Sequence, residues 1–380
     1  MANLTLYVAK CLITSYTSIL APLLPLIMQQ MKLSLTQAGA LISLFSFFNS
    51  LFQPVCGLVQ DRFGFFPFLC ITPLWVGGCM GVLGIVPSYE WLITLLILAG
   101  IGICFFHPAS FAAVGCTDAG RRSIAISYLM LASSLGFVVG PALISLFTAR
   151  CGMEKLYLIV IPGAIVTAAL LKFFSRETGD GPRQNAKRRM NPFRAVLSPI
   201  FPLFLSALAI SITAMNLYSL VPILFRQRGV SIETVGLFLS LFALGCAVGP
   251  LLGSVLARRC GKSVMMVIAS ACSIAFLPLF VLTQGPFVLN ISLFLFLGTA
   301  LMMPISVLID MAQEKAPEYL GTASSLLGGF AWGCGGLLVI VFAKLAEVVG
   351  IQTVVNGLVL FPLLNLGLVS LTKGFRTSPV

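Results

Sequence analysis

Residues 263–309 read SVMMVIASACSIAFLPLFVLTQGPFVLNISLFLFLGTALMMPISVLI, 47 residues without one Asp, Glu, Lys or Arg. Burying a charge in hydrocarbon costs roughly 2.5 kcal/mol or more, so such a stretch reads as membrane-embedded. One helix crosses a hydrocarbon core of about 30 Å with about 20 apolar residues. The stretch is about twice that length, and Thr283-Gln284-Gly285-Pro286 breaks it, so it holds two spans. The same charge-free pattern recurs at 11–31, 33–60, 63–89, 91–117, 123–149, 156–171, 195–225, 234–257, 319–343 and 348–372. Eleven windows, one of them double, predict twelve transmembrane helices. The fold class expected is an all-α membrane protein.

Composition agrees. Hydrophobic residues make up 59% of the chain and charged residues 9%. A soluble domain has about 25% charged residues, so a soluble core is excluded. The first apolar segment, about 4–28, is too long for a signal h-region and lacks a small-residue cleavage site, so it reads as the first span. The net charge of +12 does not point to nucleic acid. With the N-terminus in the cytoplasm, sixteen Lys and Arg fall on the cytoplasmic side and six on the opposite side, with Lys10 inside a span, which accounts for all 23. This bias predicts both termini cytoplasmic in the plasma (bacterial inner) membrane, with the basic residues against lipid headgroups. The eleven cysteines are scattered without zinc or redox spacing, so neither a metal, a cofactor nor a disulfide framework is expected.

One long polar connection, rich in Gly and basic residues, divides the chain. The expected division is a six-helix bundle over 1–174, a cytoplasmic linker over 175–195 and a second bundle over 196–380. The halves echo each other: Pro54 recurs as Pro250 and Pro108 as Pro304, both at an offset of 196 residues. A constant offset across two elements argues for duplicated, pseudo-symmetric halves. Transporters so built hold substrate near the midplane and rock one half against the other. Gly136-x-x-x-Gly140-Pro141, Gly245-x-x-x-Gly249-Pro250 and the run Gly328 to Gly336 place small residues on helix faces. They serve either static close packing or a sliding interface.

Gly57-Leu-Val-Gln-Asp61-Arg62-Phe63-Gly64 follows the second helix and resembles the loop signature of the Major Facilitator Superfamily. In that family the Asp and Arg latch the cytoplasmic gate; the basic residues usually following the last Gly are replaced here by Phe65-Phe66-Pro67. Gly136, Gly140 and Pro141 are similar to the helix-5 motif of its drug antiporters, without the trailing Gly pair. A narrower resemblance is to the fosmidomycin-resistance exporters. It rests on Pro22-Leu-Leu-Pro25, Leu33-Ser-Leu-Thr-Gln37-Ala-Gly39, Gln53-Pro54, Phe106-His107-Pro108-Ala-Ser110, Gly120-Arg121-Arg122, Ala312-Gln313-Glu314-Lys315 and Gly321-Thr-Ala-Ser324. The resemblance implies two six-helix bundles and export of a small molecule, drug or metabolite, coupled to proton entry. It implies a monomer with no nucleic-acid partner.

Few groups inside the spans can carry chemistry. His107, the only histidine, sits inside the fourth helix; it is either a proton-coupling or substrate-contacting group, or a neutral ring that steadies the kink at Pro108. Lys10 either snorkels to the cytoplasmic headgroups, the favoured reading, or offers its charge to an anion. Asp310, near the cytoplasmic end of the tenth helix, either pairs with a cation or takes part in proton exchange. Tyr16, Asn49, Gln53, Asn216, Tyr218, Gln227 and Trp332 lie on the helices that line the cavity in the family the chain resembles, where they would orient substrate. Many proton antiporters of that family carry an Arg in helix 4 or an acid in helix 1. Neither is present here, so coupling falls on His107, Asp310 or Asp61. With Lys10 and His107 as ionisable groups, the substrate expected is neutral or anionic.

Three functions compete. An exporter driven by the proton gradient leads, and an importer of a nutrient or metabolite fits the same scaffold. An intramembrane enzyme would need paired acids, a Ser–His dyad or metal ligands at depth, so no enzyme activity is expected.

Overall fold

The computed structural model describes residues 2–52, 56, 59–60, 64–115, 119–174, 193–282, 287–315 and 326–371, helical almost throughout and without a strand. A helix satisfies every backbone N–H and C=O within itself, as a lipid-embedded segment requires. Eleven helices among these residues are long and apolar enough to cross a membrane. In the first half they are α1 (Ala2–Met31), α3 (Phe66–Ile85), α4 (Tyr89–Gly115), α5 (Ala119–Cys151) and α6 (Met153–Phe173). In the second they are α7 (Phe193–Gln227), α8 (Ile232–Cys260), α9 (Lys262–Leu282), α10 (Phe287–Lys315), α11 (Leu326–Val349) and α12 (Ile351–Val369). Between α1 and α3 lies a shorter apolar helix, α2 (Leu35–Leu51). The charge-free window continues to Gln60, largely outside the described residues, as do most of the linker 175–195 and the break at 283–286.

The chain forms two compact units. The first comprises Met1–Leu33, Leu41–Ala186 and Val230–Ser240; the second comprises Ser34–Ala40, Lys187–Gly229 and Leu241–Val380. In the first, α1 packs along α5 and against α6, and α3 packs against α4 and α6. Glycine permits the closest of these approaches. A Cβ on Gly136 would collide with the Cys11 carbonyl oxygen, and one on Gly140 with Ser18 Oγ, so α5 lies backbone to backbone on α1. Ser15 Oγ donates to Gly136 O at 3.2 Å across this seam. Tyr16 ties in a third helix: its hydroxyl donates to Ile159 O at 2.6 Å, with the ring against Gly77 and Gly163.

In the second unit α7 packs on α11 and α12, and α9 on α10 and α12. Gly245, Gly249 and Gly253 of α8 leave room only for the α10 backbone at Leu295, Thr299 and Met303. Phe242, Phe294 and Phe280 stack in sequence, with centroids 4.5 Å apart at each step. At the start of α2, the Thr36 amide and hydroxyl donate to the two carboxylate oxygens of Glu347, both at 2.7 Å. A carboxylate there answers the positive end of the helix dipole.

Two local departures were not foreseen. α2 ends and α11 begins in π-helical turns, Phe47–Leu51 and Leu326–Phe330. A π turn inserts a residue into an α-helix and bends its ladder. The first lies close against Gly100 of α4, where an added Cβ would be 3.0 Å from Phe48 Cβ. Large apolar side chains such as Trp91, Ile165, Leu251 and Leu360 remain exposed on the helix faces. Water would disfavour so much apolar surface, and hydrocarbon solvates it.

Candidate functional site

Lys10 is the charged residue that α1 buries. Its helix buries Leu6, Ala9, Lys10, Ile13 and Thr14, a face of three- and four-residue spacing that turns into the first unit. The side chain is 2% exposed. The expected snorkelling therefore does not occur: on this face the four-carbon stem runs through packed protein and has no lipid path to the headgroups.

The ammonium instead meets α4. Lys10 Nζ lies 2.7 Å from His107 Nδ1 and donates to Ser110 Oγ at 3.4 Å. Ser110 Oγ spends its own proton on His107 O at 2.8 Å, which leaves its lone pairs facing Lys10. Helical spacing delivers these partners, since His107, Ser110 and Phe111 are i, i+3 and i+4 on one face. The rings of Phe106 and Phe111 sit 5.9 and 5.2 Å from Nζ, in cation–π range. Thr14 holds the base of the arrangement, donating to Lys10 O at 2.7 Å and meeting Ser133 of α5 at 3.2 Å.

The 2.7 Å contact constrains protonation. One nitrogen must supply the hydrogen and the other a lone pair. With Lys10 as ammonium, His107 is neutral and carries its proton on Nε2. Two positive charges at 2.7 Å would repel by on the order of 6 kcal/mol at an effective dielectric constant of 20. The pair therefore holds at most one positive charge in this geometry. No Asp or Glu among the described residues lies within 4 Å of Lys10 to neutralise it.

The other expected residues are dispersed. Asp310 forms an ion pair with Lys262 at 2.7 Å, and Glu314 joins it at 2.6 Å, on an exposed surface at the ends of α9 and α10. Tyr16 is buried as a structural tie. Asn216 is buried, its amide donating to Ile212 O at 2.9 Å, and its Oδ1 has no partner among the described residues. Asn49 lies in the π turn of α2, Tyr218 and Trp332 are half-buried, and Gln227 is exposed at the end of α7. Gln53, Gly57, Asp61 and Arg62 lie outside the described residues. Gly64 adopts φ 80°, the left-handed conformation that glycine favours, and donates to Gln60 O at 2.8 Å. Gly136 and Gly140 belong to the α1–α5 seam, and Pro141 follows them in α5. Among the described residues no three His, Cys, Asp or Glu side chains gather as a metal ion would need. Sequence reasoning missed Ser110, Phe106 and Phe111 as surroundings of the charge, although the spacing of Ser110 and Phe111 from His107 signalled those two.

Eleven helices long and apolar enough to cross a membrane, with the Lys10–His107 contact buried among them, define a polytopic membrane protein. The chain belongs to the Major Facilitator Superfamily, whose model matches residues 6–340. It is 26% identical over 368 residues to the fosmidomycin resistance protein of Escherichia coli K12, covering 92% of this chain and 87% of that one. It is 24% identical over 314 residues to the multi-drug resistance efflux pump PmrA of Streptococcus pneumoniae serotype 4, covering 79% of this chain and 78% of the pump. Among solved structures, the nucleoside transporter NupG superposes with a TM-score of 0.81 at 16% identity, over 98% of this chain and 100% of that one. The protein is an integral, multi-pass membrane transporter of this superfamily.

Proposed function

We propose that this protein exports a small organic molecule, a drug or a metabolite, driven by the proton-motive force, by alternating access of two bundles with both termini in the cytoplasm. The single observation that carries the coupling is the Lys10–His107 contact, a buried pair able to hold one positive charge but not two. Loaded with an anion on the outward journey the pair is neutral overall, and it returns inward with its one positive charge, so each cycle moves one negative charge outward, the direction that the membrane-potential part of the proton-motive force favours. The efflux and resistance relatives support export over import. The substrate class is neutral or anionic, because the site offers a cation and no acid. The working unit is a monomer in the plasma (bacterial inner) membrane.

The test has two parts. An overexpressing and a deleted strain are screened for growth against a toxic-compound panel to identify a substrate. Counterflow of that compound is then measured in proteoliposomes with pH gradient and membrane potential imposed separately. Efflux that responds to neither gradient, or that proceeds normally in His107→Gln, refutes the coupling role. Uptake in the direction of proton entry makes the chain an importer.

A further inference from the structure

We propose that the substrate carries a single negative group which docks on the Lys10 ammonium beside the exposed ring of Phe111. An ammonium has three N–H donors. His107 Nδ1 takes one and Ser110 Oγ a second at 3.4 Å, near the limit for a hydrogen bond. The third has no acceptor among the described residues, and no carboxylate stands within ion-pair distance. A buried cation is normally paired with an anion or neutralised. Here neutral dipoles and two aromatic faces hold it, which is how a site retains a charge while leaving the countercharge to be supplied from outside.

The geometry also leaves a way in. Lys10 itself is 2% exposed, whereas His107 is half-buried and Phe111 is 41% exposed, so the exposure that the cluster has lies on the α4 side. An entering anion supplies both the missing acceptor and the missing charge. A cation is repelled, and a neutral amide supplies an acceptor alone. The anion is single because the charge-free windows 11–31, 63–89, 91–117, 123–149 and 156–171 place no second cation in these spans. The remainder of the molecule is uncharged and apolar, to suit the exposed Phe111 ring. Loaded with such a monoanion the site is neutral, and emptied it is cationic.

This deepens the export reading and is tested without it, by equilibrium binding. The full chain in detergent is melted at fixed ionic strength with sodium benzoate, sodium phenylphosphonate, benzamide or benzylamine hydrochloride, against sodium chloride as the blank. Binding to the folded state alone raises the melting temperature with ligand concentration. Benzoate and phenylphosphonate are expected to raise it at concentrations at least tenfold below benzamide, and benzylamine not at all. Lys10→Met is expected to lose the benzoate response tenfold or more, and Lys10→Arg to keep it. If Lys10→Met does not fold, Lys10→Gln replaces it, and the benzoate-to-benzamide ratio on the native chain still decides. Equal response to benzamide, no response to either anion, a stronger response to benzylamine, or an undiminished benzoate response without Lys10 overturns the proposal. A chain that binds benzoate through Lys10 yet exports nothing refutes export alone.

Discussion

Removing the two partners of the buried pair should have opposite effects on stability. Lys10→Met keeps the unbranched stem and deletes the charge. The ammonium is held by one charge-assisted hydrogen bond worth about 1.5–3 kcal/mol and two cation–π contacts worth about 0.5–2 kcal/mol each. Against these stands the desolvation of a nearly buried cation, several kcal/mol, so the two sides come close to cancelling. Methionine removes both, and the imidazole it leaves behind is half-buried and can reach other partners. We expect Lys10→Met to be as stable as the native chain or up to about 2 kcal/mol more so, while substrate export falls at least 100-fold. His107→Leu instead strands the ammonium without its close acceptor, and should cost about 3–5 kcal/mol. The double variant should recover most of that loss. The assay is thermal unfolding of purified protein in detergent, followed by fluorescence-detected size exclusion, on all four proteins. A His107→Leu variant as stable as Lys10→Met, or a double variant no better than His107→Leu, would refute the reasoning.

Export by His107→Gln should lose its response to the imposed gradients while retaining substrate binding in the melting assay. A native-like gradient response would place coupling elsewhere. Tyr16→Phe removes the 2.6 Å bond to Ile159 O and should lower stability by about 1 kcal/mol, with export of an identified substrate changed less than twofold; a large loss of export would return Tyr16 to the substrate path. Gly140→Ala puts a methyl group into Ser18 Oγ and the Ser15 carbonyl, and should cost about 1–3 kcal/mol by melting. Gly328→Ala, where no atom lies within 4 Å of the added carbon, should be tolerated far better, and equal losses would show that the α1–α5 seam is not tight.

The spans were legible because lipid makes a demand that composition alone can meet, an unbroken apolar run with its charges at the ends. The division of Lys10's fate was not legible in the same way. Composition shows that a charge stands two turns into α1, but whether it faces lipid or protein depends on which face α5 and α4 cover, a tertiary fact. The burial of Leu6, Ala9 and Ile13 beside it decides the matter. His107 stands out in the sequence as the lone histidine, yet its contact with Lys10 joins residues 97 positions apart, which no local pattern encodes. Tyr16 illustrates the reverse: a polar aromatic residue on a cavity helix whose hydroxyl is spent on the neighbouring backbone. The small-residue spacing at Gly136 and Gly140 announced a close helix contact, and only the structure names α1 as its partner.

The π turns at Phe47–Leu51 and Leu326–Phe330 alter how these helices are inherited. One extra residue amounts to about 100° around the axis, since an α-helix has 3.6 residues per turn. A face read from Leu35–Ser46 therefore cannot be carried past Phe47 by counting. The wider turn takes up that rotation, so a lineage that gained or lost one residue here would keep the flanking segments facing their old neighbours. Two relatives of different length could then present the same side chains on either side of the turn.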